Sequence, residues 1–246
     1  MAAKDLAGRT AYVSGAGRNI GRAIAVALAR LGANVVVNGR ADRALAEATA
    51  EAVRGEGVEA LVVMGDVARA EVIEAIAAEA VGRFGRVDIV VNNAAIRPHK
   101  PFLETTDADW SGVLDTALTG SFRTCRAFLP GMVEGGWGRI VNFAGMKAIR
   151  GYFEGAPISA AKHGVVGLTR ALSTEFAPHG ITANTVSPGQ IAKDGGDPHD
   201  PTRIATVPAG HLGAPEDIAA TVAHLAGPGG RFITGQTIAI NGGEAT

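Results

Sequence analysis

The stretch Ala11-Tyr12-Val13-Ser14-Gly15-Ala16-Gly17-Arg18-Asn19-Ile20-Gly21 carries a short apolar run through a glycine turn into residues with helical spacing. Glycines in such a turn let the backbone approach a pyrophosphate, and the helix that follows offers unpaired N–H groups at the positive end of its dipole. The spacing Gly15, Gly17, Gly21 is one residue longer than the common dinucleotide fingerprint. The turn alone is therefore a weak sign, and the rest of the chain must say whether it belongs to a nucleotide-binding sheet.

Outward from it, β-rich runs at 11–14, 34–38, 60–64, 89–91, 139–143, 182–186 and 236–240 alternate with helical patterns at 20–31, 41–54, 70–84, 114–132, 160–176 and 215–225. The runs are apolar on both faces, as parallel strands covered on two sides are. Strand, helix, strand repetition implies right-handed crossovers. It predicts an α/β fold, a Rossmann-type doubly wound parallel sheet of about seven strands with helices on both faces. No Pro/Ser-rich linker divides the 246 residues, so 1–246 read as a single domain. Residues 189–213, rich in Gly, Pro, Asp and His and without clear period, read as a lid over a binding site.

A formal net charge of -1, from 23 basic and 24 acidic residues, offers no basic stripe for nucleic acid and no acidic tail. Small molecules and copies of the chain itself are the expected partners. The lone Cys125 cannot form an intrachain disulfide, and no signal-peptide apolar stretch precedes the first strand. Glycine and charge interrupt every apolar run well short of the ~18 residues of a membrane helix. A cytoplasmic protein, with no membrane or metal site, is expected.

Several ordered segments resemble one family. The glycine segment resembles the Thr-Gly-x-x-x-Gly-x-Gly loop of the short-chain dehydrogenase/reductases, and Asn92-Asn93-Ala94-Ala95 resembles their Asn-Asn-Ala-Gly motif. Gly138-Arg139-Ile140-Val141-Asn142 is similar to their fifth strand, Ser187-Pro188-Gly189 to their Pro-Gly turn and Asn241-Gly242-Gly243 to their C-terminal signature. The resemblance covers essentially the whole chain and implies a nicotinamide cofactor. It assigns Gly15, Gly17, Arg18, Asn19, Ile20 and Gly21 to the pyrophosphate loop, Asp66 and Val67 to the adenine, and Lys162 to the nicotinamide ribose. Asn92, Ala94, Pro188 and Gly189 complete the implied cofactor site. Asn19 departs from the family's middle glycine, a position where Asn tolerates left-handed backbone better than other side chains do. Asp66 has a second reading, as an ordinary helix N-cap before Arg69. The resemblance also implies a homotetramer, or a dimer, paired through 114–132, 160–176 and 236–240.

Cofactor choice is read after the second strand, in Val37-Asn38-Gly39-Arg40. Gly39 stands where NAD-preferring relatives carry an acid that binds ribose hydroxyls and repels a 2′-phosphate. With Arg40 next, Arg18 in the loop and Arg43 nearby, guanidinium groups suited to phosphate surround that corner. NADP(H) is expected rather than NAD(H).

The family's reaction uses asparagine to place a relay water, serine to orient the carbonyl, tyrosine as acid/base and lysine on the ribose. In this chain only Lys162 matches. The asparagine position in Trp110-Ser111-Gly112-Val113-Leu114-Asp115-Thr116-Ala117-Leu118 is Ala117, the serine position is Gly145, and thirteen residues on the tyrosine position is Ile158. The register is secure because Ile158 and Lys162 stand four apart, on one helix face. Hydride transfer to a carbonyl builds charge on oxygen that needs a donor within reach, and isoleucine and glycine supply none. Tyr152 and His99, in the two segments that border the substrate pocket in relatives, are the candidate substitutes. Each has a plainer reading, Tyr152 as an aromatic wall and His99 as a surface-loop histidine. Glu154 is a weaker candidate, and His163 is turned ~100° from Lys162 on its helix. Arg97, Lys100, Lys147 and Lys193 border the same pocket and hint at an anionic substrate. Two classes of function stay open: an atypical NADP(H)-dependent oxidoreductase acting on a small carbonyl or hydroxyl compound, or a non-redox lyase, isomerase or silent binding protein on the same scaffold.

Overall fold

The computed structural model describes residues 4–146 and 150–245, so Lys147 lies outside the described residues. Seven strands, β1 (Thr10–Ser14), β2 (Asn34–Gly39), β3 (Ala60–Met64), β4 (Ile89–Asn92), β5 (Gly138–Phe143), β6 (Ile181–Pro188) and β7 (Thr237–Ile240), form one sheet in the order β3-β2-β1-β4-β5-β6-β7. Every pairing is parallel. The order reverses between β1 and β4, the switch point at whose carboxyl edge ligands bind in open α/β sheets. Strand bounds fall within two residues of those expected from sequence.

The strands carry apolar residues on both faces because each face has its own helices. Val13, Val35, Val37, Val91 and Val141 pack with Ile24 and Leu28 of α1 (Asn19–Arg30), Ala50 of α2 (Arg43–Gly55) and Ile218 of α8 (Pro215–Ala226). The intervening residues Tyr12, Val36, Val90 and Ile140 pack on the other side with Ile76 of α3 (Ala70–Phe84), Phe128 of α5 (Gly120–Glu134) and Leu172 of α6 (Ala156–Phe176). Side chains alternate faces along a strand, so two covered faces leave no place for a polar period.

One expectation is corrected. The helix expected over 114–132 begins earlier, as α4 (Asp107–Leu114), and reaches α5 through a π turn over Asp115–Thr119. Thr106 starts it with a capping box, its hydroxyl accepting from the Asp109 N–H while Asp109 accepts from the Thr106 N–H. Residues 189–213 contain the single turn α7 (Pro201–Ile204) and are tied at their base by a parallel bridge between Ile191 and Gly213. Among the described residues no helix is long and apolar enough to cross a membrane.

Candidate functional site

The glycine loop follows β1 at the switch point and is held from behind by β4. Ser14 Oγ accepts from the N–H groups of Asn93 and Ala94 (3.0 Å each), and the Asn93 side-chain amide donates to Ser14 O (3.0 Å) and Gly15 O (3.1 Å). Gly21 admits no substitute, since a Cβ there would lie 2.2 Å from Gly15 O. That contact brings the first turn of α1 against the loop. Asn19 has a left-handed φ of 47°, as the sequence reading allowed. The chain caps α2 with Asp42 and α4 with Thr106, whereas Arg18, at the N-cap of α1, makes no side-chain cap and no acid stands in the first turn. A positive helix end with no cap of its own, beside closely packed glycines, fits an anionic group such as a pyrophosphate.

At the far side of the loop, Arg40 leaves β2 exposed to solvent, with Nη1 3.8 Å from Asp66 Oδ2. The other Asp66 oxygen accepts from Ala68 N (3.0 Å), and Asp66 O accepts from Arg69 N. The acid therefore shapes its own turn and still turns one oxygen to the Arg40 corner. Gly39 is buried, with a Cβ there 3.2 Å from Met64 Sδ, so the corner is narrow. Arg43 is engaged elsewhere, with Glu47 at 3.4 Å. Arg18, at the N-cap of α1, is exposed as well.

The Asn92 side chain is buried, donating to Asn142 Oδ1 (2.8 Å) and accepting from Thr124 Oγ1 (2.6 Å). Asn142 continues the chain to Thr169 (2.9 Å), which also accepts from Thr185 (2.9 Å). These bonds cross-link β4, β5, α5, α6 and β6 under the site. Of the two asparagines it is Asn93, which sequence reasoning did not single out, whose amide reaches the glycine loop. Cys125 lies beside Asn92, and burial pushes its thiol up to about 12, leaving it an unreactive core group.

Lys162 is only 4% exposed, and its Nζ donates to Phe143 O at 2.6 Å. α6 thus delivers the amine to the carboxyl end of β5. Burial, reinforced by the like charge of Arg97, pulls its pKa from 10.5 down to about 7. Between about pH 7 and 10.5 an unfolded lysine holds a proton that the folded one has released, so stability should rise with pH by at most about 1.4 kcal/mol per unit. Lys162→Met should flatten the thermal midpoint between pH 7 and 9. The same slope in the variant and the parent would show that Lys162 does not carry it.

One turn ahead of Lys162, Ile158 is buried in a cluster with Val113, Ala117 and Ala161, against which Ile96, Leu114, Leu118 and Tyr152 pack. Ala117 lies within the π turn, a deformation often found at functional positions. Ile158 and Ala117, read from sequence as the tyrosine and asparagine positions, are thus apolar side chains of one cluster. At Gly145 there is no such filling, since a Cβ would meet nothing within 4 Å.

The two substitutes expected from sequence meet. Tyr152 Oη and His99 Nε2 are 2.8 Å apart, with ring centroids separated by 4.9 Å. Their segments are joined by the Lys100 N–H donating to Glu154 O (2.8 Å). The Tyr152 ring lies so close over Gly155 that a Cβ there would come within 2.1 Å of Cδ1, so glycine is needed at 155. Pro101, Phe102, Tyr152, Phe153, Glu154 and Ala156 line a groove of about 330 Å³ beside the pair. Of the cations expected here, Lys100 is taken by Asp109 at 2.5 Å, which holds that carboxyl well below its usual range. Arg97 is exposed and near enough to Lys162 to act on its charge. His163 bonds back to Ser159 O (2.8 Å) on its own helix, away from this chemistry. Among the described residues no cluster of His, Cys, Asp and Glu could hold a metal ion.

Residues 15–244 match the family described as enoyl-(acyl carrier protein) reductase. The chain is 37% identical over 239 residues to the 3-oxoacyl-[acyl-carrier-protein] reductase FabG of Staphylococcus aureus, covering 96% of this chain and 97% of that protein. It is 39% identical over 246 residues to the enzyme of the same name from Vibrio cholerae, covering 97% and 98%. Among solved structures, a provisionally named short-chain alcohol dehydrogenase from Sinorhizobium meliloti superposes with a TM-score of 0.91 at 33% identity, covering 98% of both chains. A provisionally named gluconate dehydrogenase from Agrobacterium tumefaciens gives 0.91 at 35% identity, covering 98% of this chain and 97% of that one.

Proposed function

Because the chain belongs to the short-chain dehydrogenase/reductase family, we propose that it is an NADP(H)-dependent oxidoreductase in which the Tyr152/His99 pair replaces the family's missing tyrosine. The observation that carries this reading is the 2.8 Å hydrogen bond between Tyr152 and His99, with the Tyr152 ring packed on the cluster that contains Ile158. A phenol has returned to the neighbourhood of the lost one, from a different segment.

When bound, the cofactor supplies or accepts the hydride. The loop 15–21 receives its pyrophosphate, Arg18 and Arg40 its 2′-phosphate, Asp66 and Val67 its adenine, Ala94, Pro188 and Gly189 its remaining flanks, and Lys162 its nicotinamide ribose. An amine titrating near pH 7 in a buried site donates to ribose hydroxyls without bringing a permanent buried charge. The Tyr152 hydroxyl gives its proton to the carbonyl oxygen as charge develops, and the exposed His99 ring restores it from solvent. The apolar wall of Val113, Ala117 and Ile158 keeps competing water from that oxygen. The substrate is a small carbonyl compound, or the matching alcohol in reverse, and Arg97 favours one bearing an anionic group. The names of the Staphylococcus and Vibrio relatives, 3-oxoacyl-[acyl-carrier-protein] reductases, support a carbonyl as the reacting group.

The test is NADPH oxidation across a panel of small ketones, aldehydes and oxo acids. Turnover lost in Tyr152→Phe supports the reading. Tight NADPH binding without turnover on any of them would move the function to the non-redox class. Cofactor choice is tested separately: Arg40→Asp should weaken NADPH binding by roughly 10- to 100-fold and favour NADH, since it also places a second acid beside Asp66. Equal affinities of the parent protein for the two cofactors in a fluorescence titration would overturn the assignment to NADP(H).

A further inference from the structure

We propose that the tip of the lid, residues 193–196, is a latch that closes the dinucleotide seat of the cofactor-free protein: the Asp194 carboxylate occupies the N-terminus of α1, and the cofactor's pyrophosphate enters by displacing it. This rests on the reading of the glycine loop as the pyrophosphate site. Asn19 is the first residue of α1, and its N–H donates to Asp194 Oδ2 at 3.0 Å, while the Asp194 N–H donates to Asn19 Oδ1 at 2.7 Å. Two reciprocal bonds thus join residues 175 positions apart. The cap that α1 lacks in its own sequence comes from the lid, in the form of an anion. A carboxylate and a phosphate are stabilised at a helix N-terminus by the same dipole and the same N–H groups, so the two compete for one place.

The latch also gives a reason for the asparagine in the glycine loop. Glycine would adopt the left-handed backbone found at position 19 (φ 47°) more readily, but it has no side-chain carbonyl to receive the Asp194 N–H. The departure from the family loop and the lid aspartate explain one another. The lid is built to move at its tip. Its base is fixed by Ala192 N donating to Gly213 O (2.8 Å), Gly213 N to Gln190 O (3.0 Å) and Arg203 Nη2 to Ile191 O (2.8 Å). The tip is a turn closed by Gly196 N on Lys193 O (2.9 Å), exposed throughout. Among the described residues, the hydrogen bonds that join it to the body of the protein are the two with Asn19. Such bonds, made in water, are weak enough for a dinucleotide to break.

The experiment compares the intact protein with Asp194→Ala and Asn19→Gly by hydrogen exchange over residues 190–200 without cofactor, and by titration with NADPH and with adenosine 2′-monophosphate. The last is a probe that has no pyrophosphate. Both variants should exchange faster in that segment, and Asp194→Ala should bind NADPH roughly three- to tenfold more tightly with unchanged affinity for the 2′-monophosphate. Unchanged exchange in both variants would overturn the latch. Faster exchange with unaltered or weaker NADPH binding would overturn the competition. If no form binds NADPH while Asp194→Ala still loosens the segment, it is the cofactor reading that fails, and the displacement fails with it, whereas the contact itself is upheld.

Discussion

Tyr152→Phe is expected to lower kcat for carbonyl reduction by about 10²- to 10³-fold while leaving NADPH affinity within about twofold. The change removes one hydroxyl and keeps the ring that packs against the Ile158 cluster and over Gly155, so the groove wall survives. Loss confined to kcat is what separates a proton donor from an aromatic wall, whose removal would act on KM. His99→Ala should cost less, roughly 10-fold, because water can replace an exposed relay. If Tyr152→Phe and His99→Ala both turn over at the parental rate, the donor is some other group and the pair is structural.

That pair was half legible in the sequence. Each member could be placed in a pocket-bordering segment by its position after a motif, but they stand 53 residues apart, and only the fold brings Oη to Nε2. The sheet was legible for the opposite reason. Strands such as Val35-Val36-Val37 are buried on both faces, and an unbroken apolar run bounded by glycine and polar residues announces itself locally. The π turn left no such sign, because Asp115-Thr116-Ala117-Leu118-Thr119 carries neither proline nor glycine to mark a break. Asn92 and Asn93 show where a motif stops informing. It gives two adjacent amides, and strand alternation decides that one turns into the buried chain through Asn142 while the other faces the loop. The Asp194 contact with Asn19 was beyond reach, since a lone aspartate in a Gly-rich lid carries no period and its partner lies at the other end of the chain. What the sequence did show was that position 19 was unusual.

Rebuilding the family's set by Gly145→Ser, Ile158→Tyr and Ala117→Asn is expected to raise reduction of simple ketones by about 10²- to 10⁴-fold over the Tyr152→Phe background. The three positions differ in what they demand. Gly145 has open space about its Cβ, so a serine enters at no steric cost. Ile158 and Ala117 are each 4% exposed and share one apolar cluster, so a phenol and an amide there must bond one another, the substrate or water, and overpacking is expected to cost about 1–3 kcal/mol of stability. The π turn that carries Ala117 is already present, which means the backbone need not be remade to present an amide. Lys162, one turn from Ile158 on α6, stands where it could lower the new tyrosine's pKa, though its own amine titrates near 7 and would supply that charge fully only when a phenolate draws its proton affinity upward. Two readouts make the outcome decisive. In the rebuilt protein Tyr152→Phe should no longer matter, because the donor has moved back to α6. If the triple variant folds and binds NADPH yet gains nothing, the missing side chains are not what limits reduction. Should the triple variant prove too unstable, the pair Gly145→Ser and Ile158→Tyr, without the buried amide, puts the same question to donor and orienting hydroxyl alone, and a gain there would place the chain's departure from its relatives in those two lost hydroxyls.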